Sequence, residues 1–193
     1  ILRQLGQETS LYQNNLYRQV VLILLGHADN PCRLIGEVYN EETMLPLHLE
    51  ANDRTALYYL YFHKFILCYL FAEYEQAIKN AAIAEKYLDG VIGSLFAIVF
   101  YFYDSLAHLA MFTEVSSEQK RILSKVAANQ KKMKEWARHA PMNFLHKFYL
   151  VEAERHRVRK QKNQATDYYN RAIELAKKHK YVNEEALANE LAA

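Results

Sequence analysis

The chain has 193 residues, with only 5 Gly and 3 Pro, 13% aromatic side chains and a formal net charge of +2. So few chain punctuators beside so many aromatics exclude collagen-like, low-complexity and wholly disordered chains. They also argue against a β-sandwich or barrel, whose many turns need Gly and Pro. The charge is uneven: residues 1–112 hold 7 Lys+Arg against 12 Asp+Glu, and residues 113–193 hold 17 against 10.

A basic second half suits nucleic acid or an acidic partner. It equally suits a solvated helical surface with cations near helix C-termini, where the macrodipole favours them, and that is the reading preferred here. The two cysteines, Cys32 and Cys68, sit among apolar residues with no CxxC spacing, which reads as buried, reduced thiols and a cytoplasmic location. Arg3, Gln4, Glu8 and Arg18 leave no signal-peptide pattern at the start. The first residue is Ile and the last two are Ala192-Ala193, so the expectation is a middle segment of a longer protein.

Helical periodicity runs through the chain. Leu2, Leu5, Leu11, Leu16, Val20, Val21, Ile23 and Leu24 predict a helix over about residues 2–25, stopped by Gly26. Residues 31–39 and 41–51 read as two short helices, with Pro46 weakening the second. Asn52-Asp53 caps an apolar helix over 54–71, buried on several sides. A more polar helix follows over 74–89 and ends at Asp89-Gly90. Residues 92–112 are apolar enough to need a membrane check, but Asp104 and His108 in the second half favour a buried helix of a water-facing helical array. Ser116 and Gln119 fit a capping box for a helix over 117–139, which must end before Pro141. Helices over 141–160 and 163–179 and a last one from Asn183 complete the pattern, and no six-residue stretch alternates as a strand would.

This is an all-α chain, either a bundle or an α-solenoid. The tetratricopeptide repeat decides the expectation. Ala165, Tyr169 and Ala172 stand at its 0, 4, 7 spacing, with Ala153 twelve residues earlier. Residues 61–88 give a weaker copy through Tyr74, Ala77, Ala81 and Ala84, with Phe65 where a small residue belongs. The expected architecture is a right-handed superhelical array of antiparallel hairpins forming one domain over 1–193: irregular helices over 1–53, hairpins over 54–90, 91–140 and 141–180, and a truncated helix over 181–193.

Six stretches carry a more specific resemblance: NPCRLIGEVYNEE (30–42), EANDRT (50–55), AEKYLDGV (84–91), FYFYDSLA (100–107), HAPMNFLHKFYLVEAE (139–154) and EEALANELAA (184–193). From about residue 15 to the end, the chain resembles the helical middle region of very large bacterial signalling proteins common in cyanobacteria. In that family a serine/threonine-kinase-like domain and an AAA- or STAND-type NTPase precede a tetratricopeptide-like region, with GAF and histidine-kinase domains after it. The resemblance implies a non-catalytic scaffold that couples those modules, with other domains of the same polypeptide or other signalling proteins as partners. One departure is local: Arg159-Lys160-Gln161 replaces the Gly-containing turn usual for the repeat. The family's catalytic motifs fall outside the segment, because no phosphate loop, kinase signature or phosphoaccepting-His block is present.

No catalytic residue, cofactor or metal site is therefore assigned. The eight His show no ligand spacing. Asp104, following four aromatics, is a candidate buried polar site. Its functional reading is a ligand or proton site; its structural reading, preferred here, is a hydrogen bond to a Tyr or a basic side chain of a neighbouring helix. Arg155, Arg159, Lys160 and Lys162, with Lys177 and Lys178, form the candidate interaction surface if adjacent hairpins align them into one strip. Tyr58, Tyr59, Tyr61, Phe62 and Phe65 read as core before they read as a groove. The alternative function is nucleic-acid binding through the basic half, disfavoured because no exposed aromatics interleave its densest basic run.

Overall fold

The computed structural model describes residues 8–91, 93–112 and 118–193. Among them lie nine α-helices: α1 (Glu8–Leu24), α2 (Glu41–Glu50), α3 (Arg54–Leu70), α4 (Tyr74–Glu85), α5 (Leu95–Ala110), α6 (Gln119–His139), α7 (Pro141–Arg157), α8 (Lys162–Lys178) and α9 (Val182–Ala192). A 3₁₀ turn covers Leu88–Val91 and a lone β-bridge joins Ile35 to Asn40, and no strand occurs among the described residues. The chain is thus all-helical, and none of the described helices is long and apolar enough to cross a membrane. The expected start of the first helix before residue 8 and the Ser116 capping box lie outside the described residues.

Four connections share one geometry. After α2, α3, α7 and α8 a single residue turns into the left-handed region: Asn52 (φ 48°), Ala72 (φ 61°), Lys160 (φ 60°) and Lys180 (φ 62°). In each, the next amide reaches back five residues to close the helix end: Asp53 N–H to His48 O, Glu73 to Cys68, Gln161 to His156 and Tyr181 to Ala176, at 2.8–3.0 Å. This is the Schellman pattern, which normally places Gly at the left-handed position. That next residue is also the N-cap of the following helix. The same closure at α1 uses Gly26 (φ 87°), with His27 N–H on Leu22 O at 3.0 Å. The missing Gly at Lys160 therefore leaves the turn intact.

The chain divides into two compact units, Ile1–Ala97 and Ile98–Ala193. In the first, α3 is the central helix, with Leu57, Tyr58, Leu60, Phe65, Leu67 and Cys68 at most 1% exposed. Leu16 and Ile23 of α1, Leu34 and Tyr39 of the connector, and Leu60 and Leu67 of α3 form one core cluster. α4 lays Ala77, Ala81 and Ala84 against α3, their small side chains letting the two helices approach closely.

Residues 31–39 are not the short helix that the sequence suggests. Buried Gln19 takes over their backbone: its Oε1 accepts from Val38 N–H at 3.3 Å and its Nε2 donates to Ile35 O at 3.5 Å. Gly36 makes this approach feasible, since a Cβ there would stand 2.2 Å from Gln19 Nε2. α2 forms despite Pro46, helped by the Asn40 side chain accepting from Glu42 N–H at 2.9 Å. α4 stops at Glu85 rather than 89. The chain tightens there, with Arg54 Nη2 donating to Lys86 O and pairing with Asp89, both at 2.6 Å.

In the second unit, α7 and α8 form the closest hairpin, with Ala153, Ala165, Ala172 and Ala176 buried between them. α6 packs on α7 and α9 on α8. α5 meets α6 through long side chains instead, with Tyr101 against Trp136 at 5.8 Å between ring centroids.

A non-Gly left-handed residue costs about 1 kcal/mol or more. Ala72 is exposed, so Ala72→Gly relieves that cost without losing a contact. We expect a stabilisation of about 0.5–1 kcal/mol, read from the urea midpoint, opposite in sign to the usual effect of introducing Gly.

Candidate functional site

Four helix contacts of the second unit carry a buried polar tie. On α5, Asp104 is 2% exposed. Its Oδ2 accepts from Asn129 Nδ2 of α6 at 2.7 Å and faces Lys125 Nζ at 3.7 Å, while Oδ1 faces His108 Nδ1 at 3.3 Å. Asn129 Nδ2 also reaches Ser105 Oγ at 3.2 Å. Burial pushes the Asp104 carboxyl upward, but His108, Lys125 and Asn129 outweigh it and hold the group below the usual carboxylate range. Burial likewise lowers His108, but the Asp104 partner prevails and raises it. Both Asp104 oxygens face donors, so the geometry is that of a structural acceptor.

Between α6 and α7, Gln130 Nε2 donates to Phe148 O at 3.0 Å and to Glu152 Oε1 at 2.7 Å. Between α7 and α8, buried Glu154 accepts from the Tyr169 hydroxyl and from Arg157 Nε and Nη2 at 2.8 and 2.7 Å. Between α7 and α9, Lys147 Nζ pairs with Glu184 Oε1 at 2.7 Å, both residues being under a tenth exposed. The Lys147 ammonium sits 4.5 Å from the Tyr181 ring and 3.0 Å from His146 Nε2. Burial lowers Lys147, with Glu184 opposing, and lowers His146 to about 3, with Lys147 and His179 adding to the effect. Nothing in the sequence marked Lys147 and Glu184 as partners: they lie 37 positions apart on two helices with no common periodicity.

The basic residues singled out from the sequence do not form one strip. Arg155 is bound to Glu152 on its own helix and is largely covered. Arg159, Lys160 and Lys162 are exposed around the α7–α8 turn. Lys177 and Lys178 close the far end of α8, near where Tyr181 donates to Asn143 Oδ1 at the start of α7. Because the hairpin is antiparallel, Lys162 and Lys177 stand about 22 Å apart along the helix. Lys160 and Lys162, joined by Arg157, instead border an open cleft of about 360 Å³ with Tyr169 and Leu191–Ala193.

The larger basic face lies on α6, which density along the chain does not reveal. Ile122, Val126, Met133 and Ala137 are buried and define its inner side. The opposite side exposes Lys120, Arg121, Lys131, Lys132, Lys134 and Arg138, cations spread over about 27 Å of helix. Arg121 pairs with Glu118 and Arg138 with Glu135, and Lys132 lies 3.9 Å from the Tyr101 ring centroid. Lys120, Lys131 and Lys134 have no acidic partner among the described residues. The helical period of the apolar positions was the signal that could have found this face. Between its cations stand Ser124, Ala127 and Ala128, all small and exposed.

No group of three or more His, Cys, Asp and Glu among the described residues could hold a metal ion. Compared with known proteins, the chain matches no family model, no curated protein and no solved structure.

The raised His108 pKa fixes a sign. Its charge contributes stability that is complete below the ordinary His value of about 6.5 and is lost as pH rises through the higher folded value. We expect His108→Gln to be less stable than wild type by on the order of 1 kcal/mol at pH 6, with the gap closing towards pH 9. Urea midpoints of both proteins across that range check it.

Proposed function

We propose that this chain is a non-catalytic helical-repeat segment, built as a tetratricopeptide-like solenoid, that presents a protein-docking surface within a larger signalling protein. The observation that carries the reading is the outer face of α6: a long, cationic helix side, small-residued at its centre and with three lysines lacking counter-charges among the described residues. Such a face attracts and orients an acidic partner. The repeated two-helix turn and the alanine-lined α7–α8 contact support a repeat architecture. The sequence resemblance supplies the context, with NTPase, sensor and kinase modules as the neighbours to be coupled.

The second reading, nucleic-acid binding, uses the same cations. It is weaker because the aromatic of α6, Trp136, is half-buried against Tyr101 rather than free to stack on bases.

Two measurements separate them. If the reading frame that contains this chain encodes kinase-like or NTPase domains, co-purification with those domains is expected. Lys131→Glu/Lys134→Glu should weaken it at least tenfold, which is about 1.4 kcal/mol. Retention that the double variant leaves unchanged, or no retention at all, sinks the docking proposal. A single-stranded oligonucleotide binding with a steep salt slope, abolished by the same variant, would favour the second reading instead.

A further inference from the structure

We propose that Ser124 is a modification site, a free hydroxyl at the centre of the cationic α6 face that a base-selecting protein kinase phosphorylates. Of the 11 Ser and Thr in the chain, only Ser124 has a cation three positions before it. Arg121 stands there, with Lys120 immediately ahead of it. Charge patterns of this kind are what kinases use to tell one substrate from another. The fold then presents the residue. Ser124 is exposed, on the side of α6 opposite to buried Ile122, Val126 and Met133. Its hydroxyl makes no hydrogen bond among the described residues, whereas Ser105 and Thr166 donate theirs to the carbonyl four residues back at 2.8 and 3.1 Å. Neither packing nor capping uses this oxygen.

Helical phase places Ser124 in the middle of the face. At about 100° per residue, Lys131 stands about 20° from it around the axis and Lys120 about 40°. Lys131 is about 10 Å further along the helix, comparable to the Debye length in about 0.1 M salt. Ala127 and Ala128, small and exposed, leave open space beside the hydroxyl. In the transfer, the Ser124 oxygen attacks the γ-phosphorus of ATP. The bond from that phosphorus to the bridging oxygen breaks, ADP departs, and the hydroxyl proton passes to the base of the kinase. The new group carries a charge of about −1.5 to −2 at neutral pH. It lies against Lys120 and Arg121 one turn back and faces Lys131 two turns on. Its bulk fills the small-residued centre, and its charge pairs the cations from within. An acidic partner then meets repulsion where it met free lysines. That consequence rests on the docking reading of α6, whereas the modification stands without it.

The test incubates the native 193-residue chain with magnesium ATP and the catalytic domain of calmodulin-dependent protein kinase II, which selects Arg three positions before the acceptor. The expected result is one addition of about 80 Da, placed on Ser124 by tandem mass spectrometry and absent in Ser124→Ala. Arg121→Ala should slow the reaction about tenfold or more. The phosphorylated chain should keep its helical circular dichroism and leave immobilised polyglutamate at lower salt, as Lys131→Glu/Lys134→Glu does. Three results overturn the site: phosphate on another residue, a rate unchanged in Arg121→Ala, or a folded chain that resists while a synthetic peptide of residues 118–128 is phosphorylated. Full phosphorylation that leaves the elution unchanged, while the double variant elutes early, overturns the switch. Elution that neither change alters counts against the docking reading, and the mass measurement still decides the site.

Discussion

The left-handed residue that closes each of four helices sets the terms for everything packed around it. Once Asn52, Ala72, Lys160 or Lys180 turns to positive φ, the next residue is already the cap of the following helix. No slack remains in such a connection. The second helix must return along the first, and its rotation about its own axis is fixed by the turn. Ala153, Ala165 and Ala172 then face one another because the turn aims them there. Their small volume converts that aim into close approach between α7 and α8. Three of the four left-handed positions carry a side chain other than Asn or Gly. The tertiary contacts must therefore outweigh an unfavourable backbone at each.

Turns fix direction but leave sliding along the helix axis open, and the buried polar ties remove it. Asp104 with Asn129, Gln130 with Glu152, Glu154 with Tyr169 and Lys147 with Glu184 serve four helix contacts of the second unit, α5–α6, α6–α7, α7–α8 and α7–α9. Glu41 does the same in the first, accepting from Lys64 Nζ at 2.8 Å and from Leu34 N–H at 3.2 Å. Shifting any of these helices by one turn would strand a carboxylate or ammonium away from water. Removing one partner of a buried pair typically costs about 3–5 kcal/mol, whereas the intact pair adds little net stability. Apolar packing stabilises the units, and the polar ties select one register among several that apolar faces alone would accept.

Those two devices explain what could be read from the sequence. Helix positions were legible from apolar periodicity because they depend on neighbours three and four residues away. The N-cap at Asp53, whose side chain accepts from Ala56 N–H at 3.0 Å, was legible for the same reason. The connector over 31–39 was not, because its backbone partner is Gln19, supplied from another element. Asp104 stood out as a buried carboxylate, but its donors come mainly from a helix 21 or more positions further on. Charge density drew the eye to Arg155–Lys162, although Arg155 and Arg157 there are largely consumed by Glu152 and Glu154. On α6 the cations are no denser but nearly all on one side. A surface is defined by helical phase, and a count along the chain ignores phase.

The division between interior and exterior bears directly on what such a chain can do. Its buried carboxylates are met by donors from adjacent helices, so their protonation is linked to folding more than to any external ligand. The α6 lysines are the reverse. Lys131 and Lys134 touch no acid among the described residues, and removing them leaves every tie in place. Their charge is spent neither on stability nor on register. Like charges crowded on one helix face repel by a few tenths of a kcal/mol per neighbouring pair. A face that slightly destabilises the free chain gains most when a partner of opposite charge arrives, because docking then relieves that repulsion and forms new pairs together.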